Sequence, residues 1–356
     1  MADQAIDFEF DGSLKAYTAV VLPGFILTVA TLGLYRFWNT TRIRRYLWSR
    51  TIFMGDRLEW TGTGRELFLG ALAALILVLV PISLANFAIR QIALHGYRWV
   101  AVALSVAELL VFYALVGAAV MRALRYRLSR TQWRGIRGGS VDPGVRFGLA
   151  YAWKNALAMV TLGIALPWAM VSLWNQRWRA MSFGSLQFSA HGRARGLGLP
   201  FLLCYLAPVI AIGMVALLIW SGMTLTYFGY EPRTPLEWIL IRLPAAFAFL
   251  FVIALIMTAY YASFFRQMVS NMALGGMRFR FNASAIDWME LFLGDVLLMV
   301  VTLGLGSMFL SYRHWTFHIR FFQIDGQIDT DDLNQSTTPA PAQGEGLLDA
   351  FDMGAL

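Results

Sequence analysis

Apolar residues follow two patterns along this chain. Four predominantly apolar runs each reach the roughly 20 residues that a helix needs to cross a hydrocarbon core. They cover residues 67–88, 99–120, 199–220 and 243–265. Between them lie short stretches in which apolar and polar residues alternate, as in strands with one buried face. The first pattern predicts about four full transmembrane helices in two pairs, 67–120 and 199–265, and the second predicts short strands.

Three further helical segments share one motif. Each ends at Thr-Leu-Gly, with the threonines at Thr31, Thr161 and Thr302, and each continues through an Arg-bearing stretch to a turn glycine at nearly constant spacing. This periodicity predicts an internal threefold repeat inside a single membrane domain, 1–328. The predicted repeat cores are 8–61, 131–190 and 271–328.

Glycine-containing turns separate the alternating stretches. Such pairs are typical of β-hairpins with type I′ or II′ turns. The predicted turns are Gly55-Asp56, Gly184-Ser185, Gly275-Gly276 and Asp325-Gly326, and residues 132–137 are a weaker candidate hairpin. Hairpins this short are marginal alone. We therefore expect them to join into one sheet outside the hydrocarbon, with their apolar residues on one face.

The distribution of arginine predicts the topology. Seven arginines lie within 122–146 and four within 177–195, on either side of the second Thr-Leu-Gly segment. Cytoplasmic segments collect Lys and Arg, and all strands of one sheet must lie on one side of a membrane. Each Thr-Leu-Gly segment is therefore predicted to be a bent, re-entrant hairpin that enters and leaves by the cytoplasmic face, where both termini also lie. Seven full crossings with strands on both faces remain the alternative.

Composition agrees with a membrane protein. Hydrophobic residues make up 58% of the chain and charged residues 14%, against about 25% charged residues in a soluble domain. The net charge is +8 and nearly all the basic residues are Arg, placed beside apolar helices. These observations favour membrane lipids with anionic head groups, rather than nucleic acid, as partners. The predicted head-group contacts are Arg42, Arg45, Arg50, Arg179 and Arg320.

The C-terminal segment 329–356 differs from the rest. It has no basic residue and is rich in Asp, Gln, Thr, Pro and Gly. We predict a disordered acidic tail, available to a protein partner that the sequence does not identify. Homo-oligomerisation stays open.

Charges within apolar helices are the main functional candidates, since each costs roughly 3 kcal/mol at a helix centre unless it is paired or hydrated. Lys154 and Asp295 each lie seven residues before the Thr of their own motif. We predict that they meet or share a polar cavity; the alternative is that both extend to the head groups. The other candidates for a substrate pathway are Glu290, Glu108 and Arg36.

Recognisable catalytic chemistry is absent from the sequence. We find no Ser-His-Asp arrangement, P-loop or dinucleotide fingerprint, so we expect no catalytic residue, no cofactor and no enzyme. His314 and His318 have the spacing of two metal ligands on a helix, but no third ligand accompanies them. We therefore favour an aromatic interfacial environment for both histidines over a metal site.

Two stretches carry a family resemblance. Residues 31–48, which contain TLGLYRFWNTTR followed by RRYLW, and residues 59–68, EWTGTGRELF, resemble the YjgN-like family of bacterial inner-membrane proteins. The resemblance covers most of the chain apart from the tail. It implies a bacterial inner membrane, and because the family has no assigned activity it implies no mechanism.

The sequence therefore predicts a mainly α-helical membrane bundle with three bent repeat units and short cytoplasmic hairpins. The leading functional hypothesis is transport or permeation of a lipid or small amphiphile through a polar cavity between repeats. The alternative is a non-catalytic scaffold that recruits partners through its strands and acidic tail. A third class, an enzyme acting on lipid head groups, would use the Arg clusters for phosphate but lacks an evident base or nucleophile.

Overall fold

Helical hairpins alternate with short strands along the chain. The computed structural model describes residues 6–227, 229, 234–326 and 333–339. The helices are α1 (Leu14–Ala30), α2 (Arg36–Ser49), α3 (Gly64–Ala74), α4 (Val80–Leu94), α5 (Arg98–Arg130), α6 (Val145–Val160), α7 (Leu166–Arg179), α8 (Gly198–Tyr227), α9 (Pro235–Val269), α10 (Ala285–Val301) and α11 (Ser307–Phe321). A π-helical turn, Leu75–Leu79, joins α3 to α4. The strands are β1 (Ile6–Asp7), β2 (Glu9–Phe10), β3 (Thr51–Phe53), β4 (Asp56–Trp60), β5 (Thr131–Trp133), β6 (Ile136–Ser140), β7 (Met181–Phe183), β8 (Leu186–Ala190), β9 (Met272–Leu274), β10 (Met277–Phe281) and β11 (Phe322–Asp325).

All of these strands form one antiparallel sheet that closes on itself. Neighbouring strands in the sheet follow chain order from β2 and β3 through to β11, and β11 pairs with β1. β1 and β2 are the two halves of one extended segment, separated only by Phe8. The first half pairs with β11 and the second half pairs with β3. The N-terminal segment therefore closes the sheet into a ring and removes both free edges.

Aromatic side chains fill the inside of the ring. Phe8 stacks on Phe53, with ring centroids 4.8 Å apart, and Phe53 lies 5.1 Å from Trp133. On its other side Phe8 contacts Phe322, which contacts Phe279 at 5.5 Å. Trp133 is 2% exposed, and its indole N–H donates to the Phe53 carbonyl. The ring is therefore a packed core rather than an open pore.

The outward side chains of the strands are polar, as the alternating pattern predicts. Glu9, Glu59, Gln187 and Arg280 are all exposed. Arg280 forms an ion pair with Asp325 on the neighbouring strand. The prediction that the short hairpins join into one sheet with a buried apolar face is confirmed.

The turns lie where glycine permits a positive φ. Gly184 and Gly275 adopt φ of +56° and +57° at the first turn position, as type II′ turns require. The turn predicted at Gly55-Asp56 is wrong by one residue: Met54 and Gly55 form it, with φ of +49° and +82°, and Asp56 begins β4. Positive φ at both central positions is type I′ geometry, which matches the twist of the flanking strands.

Every helical hairpin starts and ends at the same rim of the ring. Each of them joins two neighbouring antiparallel strands, as α3 to α5 join β4 to β5. The tight turns therefore occupy the opposite rim. Three of the hairpins, α1–α2, α6–α7 and α10–α11, are short, with first helices of 17, 16 and 17 residues. At 1.5 Å per residue these helices are about 25 Å long.

The two remaining hairpins, α3–α5 and α8–α9, hold the long helices. Gly64–Leu94, Arg98–Arg130 and Ala246–Val269 are long and apolar enough to cross a membrane. They cover three of the four predicted crossings. In α8 the apolar stretch is Gly198–Met214, and several later side chains fall outside the described residues. The crossing predicted at 199–220 stays a prediction.

Part of the C-terminal tail packs against the ring. Leu333 is 6% exposed within the main apolar core, and the Arg137 guanidinium donates to the Thr338 carbonyl at 2.6 Å. This segment lies over Gly139, where a Cβ would collide with the Thr338 hydroxyl. The prediction of disorder therefore does not hold for 333–339; residues 329–332 and 340–356 lie outside the described part of the chain.

We expect Leu333→Ala to detach this tail without unfolding the ring. Loss of a buried leucine side chain costs about 2–5 kcal/mol, and few other apolar contacts hold the segment. Faster hydrogen exchange confined to 333–339 would be the signature. Thr337→Ala is the matched control, because Thr337 is exposed in the same segment. Equal exchange in both variants would contradict the role of Leu333.

Candidate functional site

The tips of the three short hairpins have one geometry. Leu32, Leu162 and Leu303 adopt φ of +51°, +50° and +49°, and the glycine after each has φ near +90°. In each, the glycine N–H bonds a carbonyl five residues earlier, at 2.7, 2.6 and 2.8 Å. This is the Schellman pattern that caps a helix end. The three leucines are 96%, 80% and 92% exposed.

The threonine of each tip satisfies further backbone groups. The Thr161 hydroxyl donates to the Leu157 carbonyl at 2.8 Å and accepts from the Ala165 N–H at 3.1 Å. Thr31 and Thr302 make the equivalent bonds. Hydrocarbon cannot hydrogen-bond a polar backbone group. An apolar tip whose polar groups are bonded internally is suited to that environment.

Lys154 lies between the two arms of the α6–α7 hairpin. Its side chain is buried, and the ammonium donates to the Gln176 side-chain carbonyl at 3.0 Å. Its contact with Asp295, predicted from their matched position, is not formed. The two arms of one hairpin place residues 22 apart in sequence side by side, so Lys154 finds its partner locally.

Asp295 is bonded in the same local way in the α10–α11 hairpin. One carboxylate oxygen accepts from Arg313 Nε at 2.7 Å, and the other contacts His314 Nε2 at 2.6 Å. The Asp295 side chain is 15% exposed. Each charge therefore links the two arms of its own hairpin.

The remaining pathway candidates are spread over the molecule. Glu108 accepts from the Asn86 side-chain amide at 2.7 Å, which ties α5 to α4. Glu290 and Arg36 are exposed on α10 and α2, and the Arg36 guanidinium lies 5.8 Å from the Phe37 ring. The structure does not bring Glu108, Glu290 and Arg36 together with Lys154.

A polar cavity of about 840 Å³ lies at the base of the α6–α7 hairpin, beside the ring. Arg146 and Arg179 line it together with Asn175, Gln176 and Asp142, whose carboxylate accepts from the backbone N–H groups of Gly144 and Phe147. Gln176 is also the partner of Lys154, so one side chain both lines the cavity and bonds the buried ammonium inside the hairpin. Two guanidinium groups and two amides offer the charge-assisted donors that bind phosphate or carboxylate.

Only one of the five predicted head-group arginines lines this cavity. Arg179 does so, and its Nε donates to the Ala190 carbonyl at 2.7 Å. Arg50 lies 3.8 Å from Asp11, and Arg42 reaches the Tyr35 hydroxyl at 3.4 Å. The other two, Arg45 and Arg320, are exposed near the ring ends of α2 and α11.

Arg177, which was not among the predicted site residues, is 9% exposed. Its guanidinium lies 4.9 Å from the Trp174 ring and 6.0 Å from the Trp178 ring. Burial lowers the pKa of Arg177 to about 10, so it remains charged at neutral pH. Tryptophan faces stabilise such a cation. Trp174, Arg177 and Trp178 share one helix face by their spacing, which was the available signal.

His318 lies at the ring end of α11 in an aromatic environment. The rings of Phe265, Phe281, Trp288 and Phe317 have centroids 5.6–5.9 Å from its imidazole. Its Nδ1 contacts the His314 carbonyl at 2.7 Å. Within the described residues, no group of three or more His, Cys, Asp or Glu could hold a metal ion.

We expect His318 to make the protein less stable in acid. Burial lowers the pKa of His318 to about 4 from its ordinary 6.5. The unfolded chain therefore binds a proton that the folded chain does not between pH 6.5 and 4, so stability is full above pH 6.5 and falls towards pH 4. The loss is on the order of 3 kcal/mol.

Thermal unfolding at pH 7.5 and pH 5 measures this dependence. His318→Phe should flatten it, whereas the exposed control His191→Gln should leave it as in the parent protein. His314 and Asp295 lie nearby and are present in all three proteins. An unchanged pH dependence in His318→Phe would contradict the assignment.

The apolar helices, the candidate membrane spans and the polar base cavity define a helical membrane protein that carries a closed β-ring. The chain belongs to a family of bacterial proteins of unknown function (DUF898), which matches residues 5–350. This match, together with the two relatives described next, confirms the resemblance to YjgN-like proteins.

Two curated relatives are named as inner membrane protein YjgN. The one from Salmonella typhimurium is 27% identical over 158 residues, which cover 44% of this chain and 36% of the relative. The one from Escherichia coli O157:H7 is 28% identical over 130 residues, covering 36% and 30%. The matched part of the chain spans about a third of the length of these relatives. No solved structure matches.

Proposed function

We propose that this protein lets an anionic lipid, or an amphiphile with a similar head group, pass laterally between its helical hairpins. The observation that carries the proposal is the cavity at the base of α6–α7, which Arg146 and Arg179 line and whose lining residue Gln176 accepts a hydrogen bond from the buried Lys154. A head group would bind Arg146 and Arg179 and then move towards Lys154. The acyl chains would stay against the exposed apolar surface of the helices.

The filled ring favours this lateral route over an axial one. A solute moving along the ring axis would have to displace the contacting rings of Phe8, Phe53 and Phe322. Breaking such packing costs several kcal/mol for each aromatic side chain. A route between hairpins leaves the ring intact.

The short hairpins act in this proposal as three copies of one re-entrant unit. Their matching turns support an internal repeat, since Leu32, Leu162 and Leu303 agree within 2° in φ. A helix of about 25 Å is shorter than a hydrocarbon core of about 30 Å. A leucine in the left-handed conformation costs about 1–2 kcal/mol relative to the usual helical conformation. Burial of its exposed side chain in hydrocarbon offsets this cost.

The ring and both termini lie on the cytoplasmic side in this proposal, with four full crossings in α3–α5 and α8–α9. Support comes from the arginines at the ring ends of the helices, among them Arg127, Arg130 and Arg179, because basic residues favour the cytoplasmic face. The short hairpins return to the face from which they start, so the whole sheet stays in water.

Lipid exchange between leaflets of reconstituted vesicles tests the proposal. Fluorescent phosphatidylglycerol should equilibrate across vesicles containing the protein, and the Arg146→Gln, Arg179→Gln double variant should be about tenfold slower or worse, because each charge-assisted hydrogen bond is worth roughly 1.5–3 kcal/mol. Arg193→Gln removes an exposed arginine outside the cavity and is the control. No exchange above protein-free vesicles, or equal rates in the double variant, would refute it.

A further inference from the structure

A second cavity, with apolar walls and a few polar side chains, lies at the far end of the α4–α5 pair. It has a volume of about 570 Å³ and is lined by Arg90 on α4 and Arg98 on α5. The small side chains of Ala93 and Ala101 leave the space between the two helices. Arg98 is 33 residues before β5, so this cavity is about 50 Å along α5 from the ring.

The two guanidinium groups of this cavity have no acidic partner in the described part of the chain. The carboxylate of Glu108, further along α5, already accepts from the Asn86 amide at 2.7 Å. Among the described residues, these two positive charges therefore have no compensating carboxylate. Arginine is disfavoured on the side of a membrane away from the cytoplasm, so Arg90 and Arg98 are placed against that bias.

The surroundings place this cavity at head-group depth. Tyr97 and Trp99 beside it are 65% and 86% exposed, and exposed Tyr and Trp residues are typical of the membrane–water interface. Val102 and Val106 line the cavity on the side that leads into the hydrocarbon-facing part of α5, and both are about half exposed. The cavity therefore has arginines at one end and apolar side chains below them, which suits a molecule with a charged head group and an acyl chain.

We propose that Arg90 and Arg98 bind the phosphate of an anionic phospholipid in the leaflet opposite the ring. Guanidinium groups bind phosphate oxygens in a bidentate manner. Two of them can bind one phosphodiester and still donate to a polar substituent of the head group. This site rests on the orientation in the proposed function and deepens it: it receives the lipid at the far end of the route.

The test compares retained lipid in native mass spectrometry after the purified protein is incubated with phosphatidylglycerol vesicles. Arg90→Gln with Arg98→Gln should lower by one the number of phosphatidylglycerol molecules retained per protein, because the affinity of the far-end site falls about tenfold while the base cavity keeps its lipid. Ala93→Leu fills the cavity and keeps both charges, and it should also reduce lipid retention. This variant tests the site even if the double variant fails to fold. Arg65→Gln, at the ring end of the same hairpin, is the control.

The outcomes separate this site from the base cavity. Full retention in both cavity variants overturns the far-end site, whatever Arg146→Gln with Arg179→Gln does. Loss in the far-end variants alone supports this site and counts against the base cavity. Thermal unfolding with inorganic phosphate tests a free anion as the ligand instead. If phosphate stabilises the parent protein but not the Arg90→Gln, Arg98→Gln variant, and both proteins retain the same amount of lipid, the site binds a free anion and the lipid assignment is wrong.

Discussion

Trp133→Asp is expected to abolish the folded protein. Trp133 is 2% exposed inside the ring, where it contacts Phe53 and donates to that residue's carbonyl. Truncating a buried aromatic costs about 3–5 kcal/mol, and an unpaired carboxylate in an apolar core adds several more. The sum approaches the whole stability of a typical domain, about 5–15 kcal/mol.

Gln132→Asp is the matched control for this change. Gln132 is on the same strand but points outwards, between Glu59 on β4 and Arg137 on β6 in the register. The new carboxylate would lie between the negative Glu59 and the positive Arg137 on the outer face of the ring, so the two interactions largely cancel. The yield of folded protein should therefore stay near the parent level. Monodisperse protein in size-exclusion chromatography measures the yield. A well-folded Trp133→Asp variant would contradict a filled ring.

Phe8→Asp is expected to open the ring. Phe8 is the residue between β1 and β2, and its side chain contacts Phe53 and Phe322. A carboxylate there loses these contacts, at a cost of about 4 kcal/mol. The pairing of the N-terminal segment with β3 and β11 should weaken, leaving two edges that can pair with other chains.

Hydrogen exchange locates this opening. In Phe8→Asp the amides of β3 and β11 should exchange faster while those of β6 to β9 keep their protection, and the protein should aggregate more. The neighbouring outward residue gives the control, Glu9→Gln, which should match the parent. Uniformly faster exchange over all strands, or none, would show that ring closure does not depend on Phe8.

Local chemistry explains why the hairpins could be predicted from the sequence. Gly184 and Gly275 permit the positive φ that a tight turn needs, and the alternation in β10, where Met277, Phe279 and Phe281 are buried and the residues between them are exposed, fixes the buried face. A single sheet follows because strands of three to five residues are not stable alone.

Ring closure and the polar partners could not be predicted in the same way. β1 and β2 have two residues each, too few to show a period, and the pairing of β1 with β11 joins Ile6 to Ile324, far apart in the sequence. Lys154 and Asp295 were predicted to pair because they hold equivalent positions. Each bonds instead across its own hairpin, since a sharp turn brings the two arms together at less entropic cost than docking two hairpins.

The docked tail depends on a feature that composition hides. Residues 333–339 are polar and contain Pro, which predicts disorder, yet Leu333 is buried and the segment covers Gly139. Two adjacent glycines in a strand, Gly138 and Gly139, leave no side chains to block another segment. Their presence in β6 was the one sequence signal for this contact.

Site-directed cysteine labelling tests the re-entrant topology, on which the lateral route depends. In a Cys204→Ser background, which removes the only cysteine, single cysteines replace His95 at the far tip of the α4–α5 pair, Leu162 at a short-hairpin tip and Ser189 on the ring. An impermeant external reagent applied to intact cells should label the first alone. Labelling of Leu162→Cys or Ser189→Cys from outside would contradict the account, because the short hairpins would then cross the membrane or the ring would face outwards.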